Sequence, residues 1–301
     1  MNDREILNLI CAAEREAAAL ILKAHDIMAE NKSDRRDVVT EYDRRVQTLL
    51  IERLSAALPG ARFFCEENDR HDDLRAEHVF IIDPIDGTMN FVHGFHHSCI
   101  SAAYMSSGEL RAAAIYNPYV SELFTAVKGE GAQLNGRPIH AAETPLSENV
   151  VCCGTSPYNP ELADRTFGLM KKAFLAGLDI RREGAAALDL CSVAAGRAGV
   201  YFELGLSLWD YAAGKLIVEE AGGVCLTLDG QPMPMDPSRP TVVAGGRQAV
   251  REFLELAGRK TDLDTTRQMM ATDTDFDLSL WENLTPEEQA EAERLLEFLD
   301  Q

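Results

Sequence analysis

Apolar residues recur at three- and four-residue spacings along residues 3–30, where Ile6, Leu9, Ile10, Ala13, Ala17, Leu20, Ile21 and Ala24 fall on one face of a predicted amphipathic helix. A polar stretch, Asn31 to Arg36, separates it from a second helix over about 40–57, with Val46, Leu49, Leu50, Leu54 and Ala57 inward and Pro59-Gly60 as the stop. The period then changes. Short apolar runs at 62–65 and 78–82 read as strands, and those at 97–106, 110–116 and 122–127 as a meander punctuated by Ser-Gly and Asn-Pro turns. Beyond about residue 145, strands and helices alternate. Strands are predicted at 150–153, 199–202, 224–228 and 241–244, and helices at 160–176, 185–197, 208–221 and 249–256. The pattern is an α+β half (residues 1–145) followed by an α/β half (146–258), with a separate C-terminal appendage (259–301). Gly129-x-Gly131 has neither the third glycine nor the following helix of a dinucleotide-binding turn.

Composition narrows the function classes. The 301 residues are 46% hydrophobic, enough for a substantial core, and no apolar run approaches the roughly 20 residues of a membrane span. The charged start, Met1-Asn2-Asp3-Arg4-Glu5, is unlike a secretory signal, and none of the seven cysteines forms a C-x-x-C pair. A cytoplasmic protein with buried, reduced thiols is expected. The net charge of −20 argues against partners that need basic patches, so neither nucleic acid nor an anionic membrane surface is expected.

The candidate chemistry lies where apolar strands end in acids. Ile81-Ile82-Asp83-Pro84-Ile85-Asp86-Gly87-Thr88 delivers two carboxylates three residues apart; Pro84 restricts the backbone and Gly87 permits a sharp turn. Carboxylates this close repel unless a cation lies between them, and hard oxygen donors suit Mg²⁺. Taken alone, the segment could equally be a surface turn. It is accompanied by Phe64-Cys65-Glu66-Glu67, a second apolar run ending in acids, and by Asp210 at the start of an apolar helix, where an acid could also serve only as a cap. The cluster His93, His96 and His97 is assigned to packing rather than metal binding. Asp273-Thr274-Asp275-Phe276-Asp277 lacks the glycine and the bidentate glutamate of a calcium loop.

At these positions the chain resembles the inositol monophosphatase family. Asp83-Pro84-Ile85-Asp86-Gly87-Thr88-Met89-Asn90-Phe91 matches one family signature, and Trp209-Asp210-Tyr211-Ala212-Ala213-Gly214, continuing to Glu220-Ala221-Gly222-Gly223, matches the other. Glu66-Glu67, Val39-Thr40-Glu41-Tyr42-Asp43 and Gly184-Ala185-Ala186-Ala187-Leu188-Asp189-Leu190 match further elements, and the likeness spans about residues 1–258. The resemblance implies a layered α-β-α-β-α sandwich and a lithium-sensitive, Mg²⁺-dependent phosphatase with two to three ions, working as a homodimer on a small phosphate ester. It implies a first ion on Glu66, Asp83 and the carbonyl of Ile85, a second on Asp83, Asp86 and Asp210, and a third involving Glu66 with Glu67 nearby. Thr88 and Asp43 would orient the attacking water, with Glu66 completing the catalytic set. The amides of Gly87 and Thr88, with Gly184, Ala185 and Ala186, would meet the substrate.

Two features favour myo-inositol monophosphate as that ester: Asn90-Phe91 after the turn, and Glu203 at the family's inositol-binding position, although Glu203 could also be a solvated strand-end acid. Ala185 replaces the family's usual Ser or Thr and removes a hydroxyl that could discriminate substrates. Sugar phosphates, including fructose 1,6-bisphosphate and histidinol phosphate, are the alternative substrates, and a phosphatase scaffold with an added regulatory protein-binding role is a third reading. From Thr261 to Gln301, twelve acids face two arginines. Within that tail, Thr285-Pro286-Glu287-Glu288 reads as a capping box opening a helix with Ala292, Leu295, Leu296 and Leu299 on one face. So short a helix needs something to dock on, either this protein's own surface or a protein partner.

Overall fold

The computed structural model describes residues 1–32, 38–68 and 72–258. Helix α1 (Asp3–Leu22) opens with a reciprocal cap: Asn2 Oδ1 accepts from the N–H of Glu5, whose carboxylate accepts from the N–H of Asn2. Strands β1 (Ala29–Asn31) and β2 (Val38–Thr40) pair antiparallel and lead into α2 (Glu41–Ala57). Next come β3 (Arg62–Cys65), β4 (His78–Asp86) and a short helix α3 (Thr88–Val92). The meander is β5 (Cys99–Ser106), β6 (Glu109–Asn117), β7 (Glu122–Val127), β8 (Ala132–Leu134) and β9 (Arg137–Pro138). The remaining elements are β10 (Val150–Cys153), α4 (Ala163–Ala176), β11 (Asp179–Arg181), α5 (Ala186–Ala194), β12 (Val200–Glu203), α6 (Leu208–Glu220), β13 (Val224–Thr227), β14 (Val242–Gly245) and α7 (Arg247–Leu256).

Strands β3 to β9 form a seven-stranded sheet in chain order, antiparallel except for the β3/β4 pair. The second sheet has the order β11-β10-β12-β14-β13, parallel among β11, β10 and β12 and antiparallel at β14. Alternation within β4 explains why its sequence is an unbroken apolar run: Phe80 and Ile82 join the core under α1 and α2, while Val79 and Ile81 join the core on the opposite face. Helices α5 and α6 pack against both sheets, and α4 and α7 cover the outer face of the second. The layers therefore run α1/α2, first sheet, α5/α6, second sheet, α4/α7, which is the α-β-α-β-α sandwich expected.

Several local expectations need correction. The first helix ends at Leu22 instead of running to residue 30, because the chain turns through Asp26 in the left-handed region and residues 29–31 pair with β2. Its buried face is wider than its most regular apolar spacing suggests. Leu7, Cys11, Glu14 and Ala18 are buried, whereas Leu9 and Leu20 are only half-buried, because α1 packs on α2 as well as on the sheet. The turn after Asp86 starts a helix, α3, which the sequence pattern did not suggest. The C-terminal appendage, residues 259–301, including the acidic run at 273–277 and the predicted helix after Thr285, lies outside the described residues.

Candidate active site

Strand β4 enters the centre of the molecule, so the last part of its apolar run carries Asp83 and Asp86 to buried positions. A bulge between these two residues breaks the register with β5. Gly87 then takes φ +83°, and a Cβ there would lie 3.1 Å from the His97 carbonyl and from the Ala185 Cβ and 3.2 Å from the Gly184 carbonyl; backbone freedom and the lack of a side chain are both required. Glu66 follows the parallel neighbour β3, Asp210 lies in the first turn of α6, and Glu203 ends β12.

Glu66, Asp83, Ile85, Asp86, Gly87, Thr88, Gly184, Ala186, Glu203 and Asp210 all line one cavity of about 280 Å³. Three predicted residues sit behind this surface. Asp43 is buried at the third position of α2, where its Oδ2 accepts from the N–H of Thr40 (2.8 Å), and its Oδ1 is 3.2 Å from Thr88 Oγ1. The same Thr88 hydroxyl is 2.9 Å from the Ile85 carbonyl. Ala185, also buried, is the N-cap of α5 with no side-chain cap bond, and Asp86 Oδ2 takes the N–H of Ala187 (2.8 Å). Glu67 lies to the side, its N–H given to Gln47 Oε1.

Electrostatically this is a cluster of negative groups held out of water. Burial, followed by the charge of Glu66, pushes the carboxyls of Asp83 and Asp210 well above the ordinary range. Burial raises Asp86 to about 7 despite the N–H from Ala187, and raises Asp43 to about 6 despite its bonds from Thr40. Glu67 rises to about 7, again chiefly through burial and then through Glu66. Among the described residues, no three acids, histidines or thiols close around a single point as a finished metal site. Several of the carboxylate oxygens are instead taken up by protein donors: Asp83 Oδ1 by Ile85 N–H, Asp210 Oδ2 by Ser207 N–H, and Glu66 by Lys32. The donor set nonetheless fits divalent cations, since it consists of hard oxygens with mutual repulsion that a cation would relieve.

Some lining or supporting residues, Lys32, Tyr158, Arg182 and Gly154 among them, were not singled out from sequence, and others that were now show their contacts. Lys32 Nζ bonds Glu66 Oε1 at 2.8 Å and Glu67 Oε1 at 2.5 Å, so an ammonium occupies the flank of the acidic cluster. Its position in a polar stretch gave no signal of this. Asn90 Nδ2 donates to the carbonyls of His97 and Glu183, both at 2.8 Å, tying the turn after β4 to the loop before α5. Tyr158 and Arg182 line the cavity, and the Arg239 guanidinium lies 5.7 Å from the Tyr158 ring centre. Glu203 is buried; its Oε1 accepts from Ser156 N–H (2.9 Å) and its Oε2 from Tyr201 Oη (2.7 Å). Gly154 makes room for it, since a Cβ there would overlap the carboxylate. His96 stacks on Tyr119 at 5.0 Å, and His97 Nε2 lies 3.4 Å from Glu183 Oε2; neither lines the acidic cavity.

Five alternating layers, with acidic strand ends and a helix start meeting at one cavity, define an α-β-α-β-α sandwich with a carboxylate-lined site. Comparison with known proteins agrees: the chain belongs to the inositol monophosphatase family, whose model matches residues 2–260. Among curated relatives, the putative Nus factor SuhB of Neisseria meningitidis serogroup B is 37% identical over 229 residues, covering 75% of this chain and 88% of that protein. Nus factor SuhB of Escherichia coli K12 is 33% identical over 253 residues, covering 83% and 94%. Among solved structures, extragenic suppressor protein suhB from Bartonella henselae superposes with TM-score 0.79 at 31% identity, covering 85% of this chain and 99% of that one. An IMPase/NADP phosphatase complexed with Mg²⁺ and phosphate gives 0.77 at 25%, covering 86% and 97%. A lithium-chloride-soaked inhibitory complex of staphylococcal inositol monophosphatase-1 gives 0.76 at 25%, covering 85% and 95%.

Proposed function

We propose that this protein is a Mg²⁺-dependent phosphomonoesterase that hydrolyses myo-inositol monophosphate to inositol and phosphate with a metal-activated water. The observation that carries the proposal is the meeting of Glu66, Asp83, Asp86 and Asp210 on one cavity beside the Asp43–Thr88 pair. Glu66, Asp83 and the Ile85 carbonyl would hold one ion, Asp83, Asp86 and Asp210 a second, and Glu66 with Glu67 nearby a third. Bound there, Mg²⁺ would ease deprotonation of the attacking water and screen charge on the ester and departing oxygens. The chain supplies the rest. The Thr88 hydroxyl, held between Asp43 and the Ile85 carbonyl, orients the water, and the Asp43 carboxylate is placed to receive its proton through that hydroxyl. Gly87, Thr88 and Met89 at the start of α3 line the cavity, so the helix-start amides are available to the phosphate oxygens. Glu203, fixed by Ser156 and Tyr201, faces the same space and would accept from a ring hydroxyl of the substrate.

The free, buried thiols of all seven cysteines support a reducing, cytoplasmic setting. The names of the SuhB relatives support a second reading, in which the chain also acts as a Nus factor, through a protein partner and independently of turnover. One panel separates the substrate classes: inositol monophosphates, fructose 1,6-bisphosphate, histidinol phosphate and an aryl phosphate, each with Mg²⁺. The proposal expects the highest kcat/KM on an inositol monophosphate. A sugar bisphosphate preferred tenfold or more would reassign the substrate, and no release from any ester would leave the second reading alone. Metal binding has its own readout: Mg²⁺ should raise the Tm of the wild type and much less that of Asp210→Asn.

A further inference from the structure

Residues 154–159 lead from β10 toward α4, and three of them, Gly154, Pro157 and Tyr158, line the acidic cavity. Their course depends on one strained residue. Ser156 is buried and takes φ +39°, a left-handed conformation that few residues other than glycine adopt. Bonds to the end of β12 offset that strain: the Ser156 N–H donates to Glu203 Oε1 at 2.9 Å, and its hydroxyl donates to the Leu204 carbonyl. The Asn159 N–H then closes a turn on the Ser156 carbonyl at 2.8 Å, and Gly205 lies against Asn159, since a Cβ there would stand 3.5 Å from Asn159 Nδ2. Tyr158, inside this turn, is braced by the same stretch. The Arg239 guanidinium lies 5.7 Å from its ring centre, and the adjoining Pro240 carbonyl accepts from the N–H groups of Gly205 and Leu206, both at 3.1 Å. Burial, followed by the charges of Asp210 and Glu203, raises the Tyr158 phenol well above its ordinary value, so it stays a neutral O–H donor. Among the described residues no acceptor takes that hydroxyl.

We propose that Tyr158 is a specificity-determining residue of this cavity: its hydroxyl donates to a ring hydroxyl of the substrate while Glu203 accepts from an adjacent one, so the site selects cyclic phosphate esters that carry neighbouring free hydroxyls. The inference rests on the inositol monophosphatase reading and assigns the recognition of the alcohol portion within it. Its chemistry follows from what the other lining groups offer. Ionised carboxylates are acceptors only, so a polyol that met nothing else would leave its own oxygens without donors. The remaining donors have other partners: Lys32 is held by Glu66 and Glu67, and Arg182 gives Nε and Nη2 to Thr155 Oγ1 at 3.2 and 3.0 Å. A pair of adjacent ring hydroxyls needs one acceptor and one donor at short separation. Glu203 and Tyr158 supply that pair, and Ser156 ties both to one turn, because it is bonded to Glu203 and stands two residues before Tyr158. An aryl ester has no hydroxyl to use either group. A site built to hydrogen-bond a substrate hydroxyl discriminates against analogues that lack it, because its own polar group is then left unpaired.

Steady-state phosphate release by the full chain at saturating Mg²⁺ tests the proposal, comparing wild type with Tyr158→Phe on myo-inositol 1-phosphate, its monodeoxy analogues and p-nitrophenyl phosphate. Phenylalanine keeps the ring against Arg239 and removes only the donor. The expected result is a kcat/KM on inositol 1-phosphate lowered about 3–10-fold, chiefly through KM, with the aryl ester changed less than about twofold. In the wild type, one monodeoxy analogue should fall short of the parent by a similar factor, and in Tyr158→Phe that analogue and the parent should become equal. A deficit at an adjacent carbon, belonging to Glu203, should persist in the variant. The ratio of parent to analogue is taken within one protein, so a partly inactive preparation does not alter it. Equal losses on the inositol and aryl esters, a ratio that is the same in Tyr158→Phe as in wild type, or a wild type indifferent to every deoxygenation would each overturn the proposal. The underlying reading fails on a different result: a wild type that does not prefer inositol 1-phosphate to the aryl ester.

Discussion

Glu14 offers a prediction whose sign is fixed by burial. The residue lies on the inner side of α1, is fully buried, and among the described residues neither carboxylate oxygen has a hydrogen-bond partner. Burial raises its pKa well above 4.5 against the opposing charge of Arg15, so between those values the folded protein holds a proton there that the unfolded chain has released. Stability from this group is therefore greatest below the unfolded value of 4.5 and falls as pH rises from that value toward the raised folded one. Each pH unit inside that window costs about 1.4 kcal/mol. Among the described residues even the protonated carboxyl has no partner, a further cost of roughly 1–3 kcal/mol. Glu14→Met keeps the volume and removes both costs. It should stabilise by about 1–3 kcal/mol at pH 5 and by more at pH 8, because only the wild type loses stability across the interval. Urea denaturation of both chains at a series of pH values, without added metal, measures the difference directly. A gap between wild type and variant that stays constant from pH 5 to 8 would refute the assignment of a buried, proton-holding Glu14, and a less stable variant at every pH would show that the carboxyl has a partner after all.

Three further outcomes follow from the site. Gly87→Ala should cost about 1–2 kcal/mol for a left-handed alanine, plus whatever it takes to move two backbone carbonyls lying 3.1 and 3.2 Å from the added Cβ; a Tm within a degree of wild type would contradict the geometry at that turn. Glu203→Gln should lower kcat/KM on an inositol monophosphate by roughly 1.5–3 kcal/mol in barrier terms while sparing an aryl phosphate, and equal losses on both would make Glu203 structural. Lithium should inhibit at tens of millimolar in a nearly uncompetitive pattern, on the proposal that it takes the second ion's place at Asp86 and Asp210 after turnover; rates unchanged across the titration would count against that second site.

How much of this was legible depended on whether a residue's role follows from local pattern. Apolar runs ending in acids at Glu66 and Asp83 could be read directly, because strand ends are where a layered sheet protein exposes chemistry. The division into an α+β half and an α/β half followed from the change of period after residue 145, whereas the order of the layers came only from the family resemblance. Lys32 could not be found in this way: its bond to Glu66 crosses 34 positions of sequence, and its own surroundings are polar and unpatterned. Glu14 was concealed for the opposite reason. A glutamate beside the regular stripe of α1 looks solvated until α2 and the sheet are known to close over both sides of that stripe. The room that Gly154 leaves for Glu203 is likewise a contact between strands distant in sequence, and its neighbours give no turn or cap signal for it.

The central claim, that buried carboxylates around one cavity work through divalent cations, is tested most directly by phosphate release from inositol monophosphate by wild type and Asp86→Asn over a Mg²⁺ titration. Asp86 both lines the cavity and anchors the first turn of α5 through Ala187, and asparagine keeps its shape while removing its charge. The account predicts release that EDTA abolishes and Mg²⁺ restores. The variant, at saturating Mg²⁺, should be slower by about 10²–10³-fold, corresponding to roughly 3–4 kcal/mol of lost charge stabilisation. Turnover that persists in EDTA, or an Asp86→Asn chain within a few-fold of wild type at saturating Mg²⁺, would contradict it.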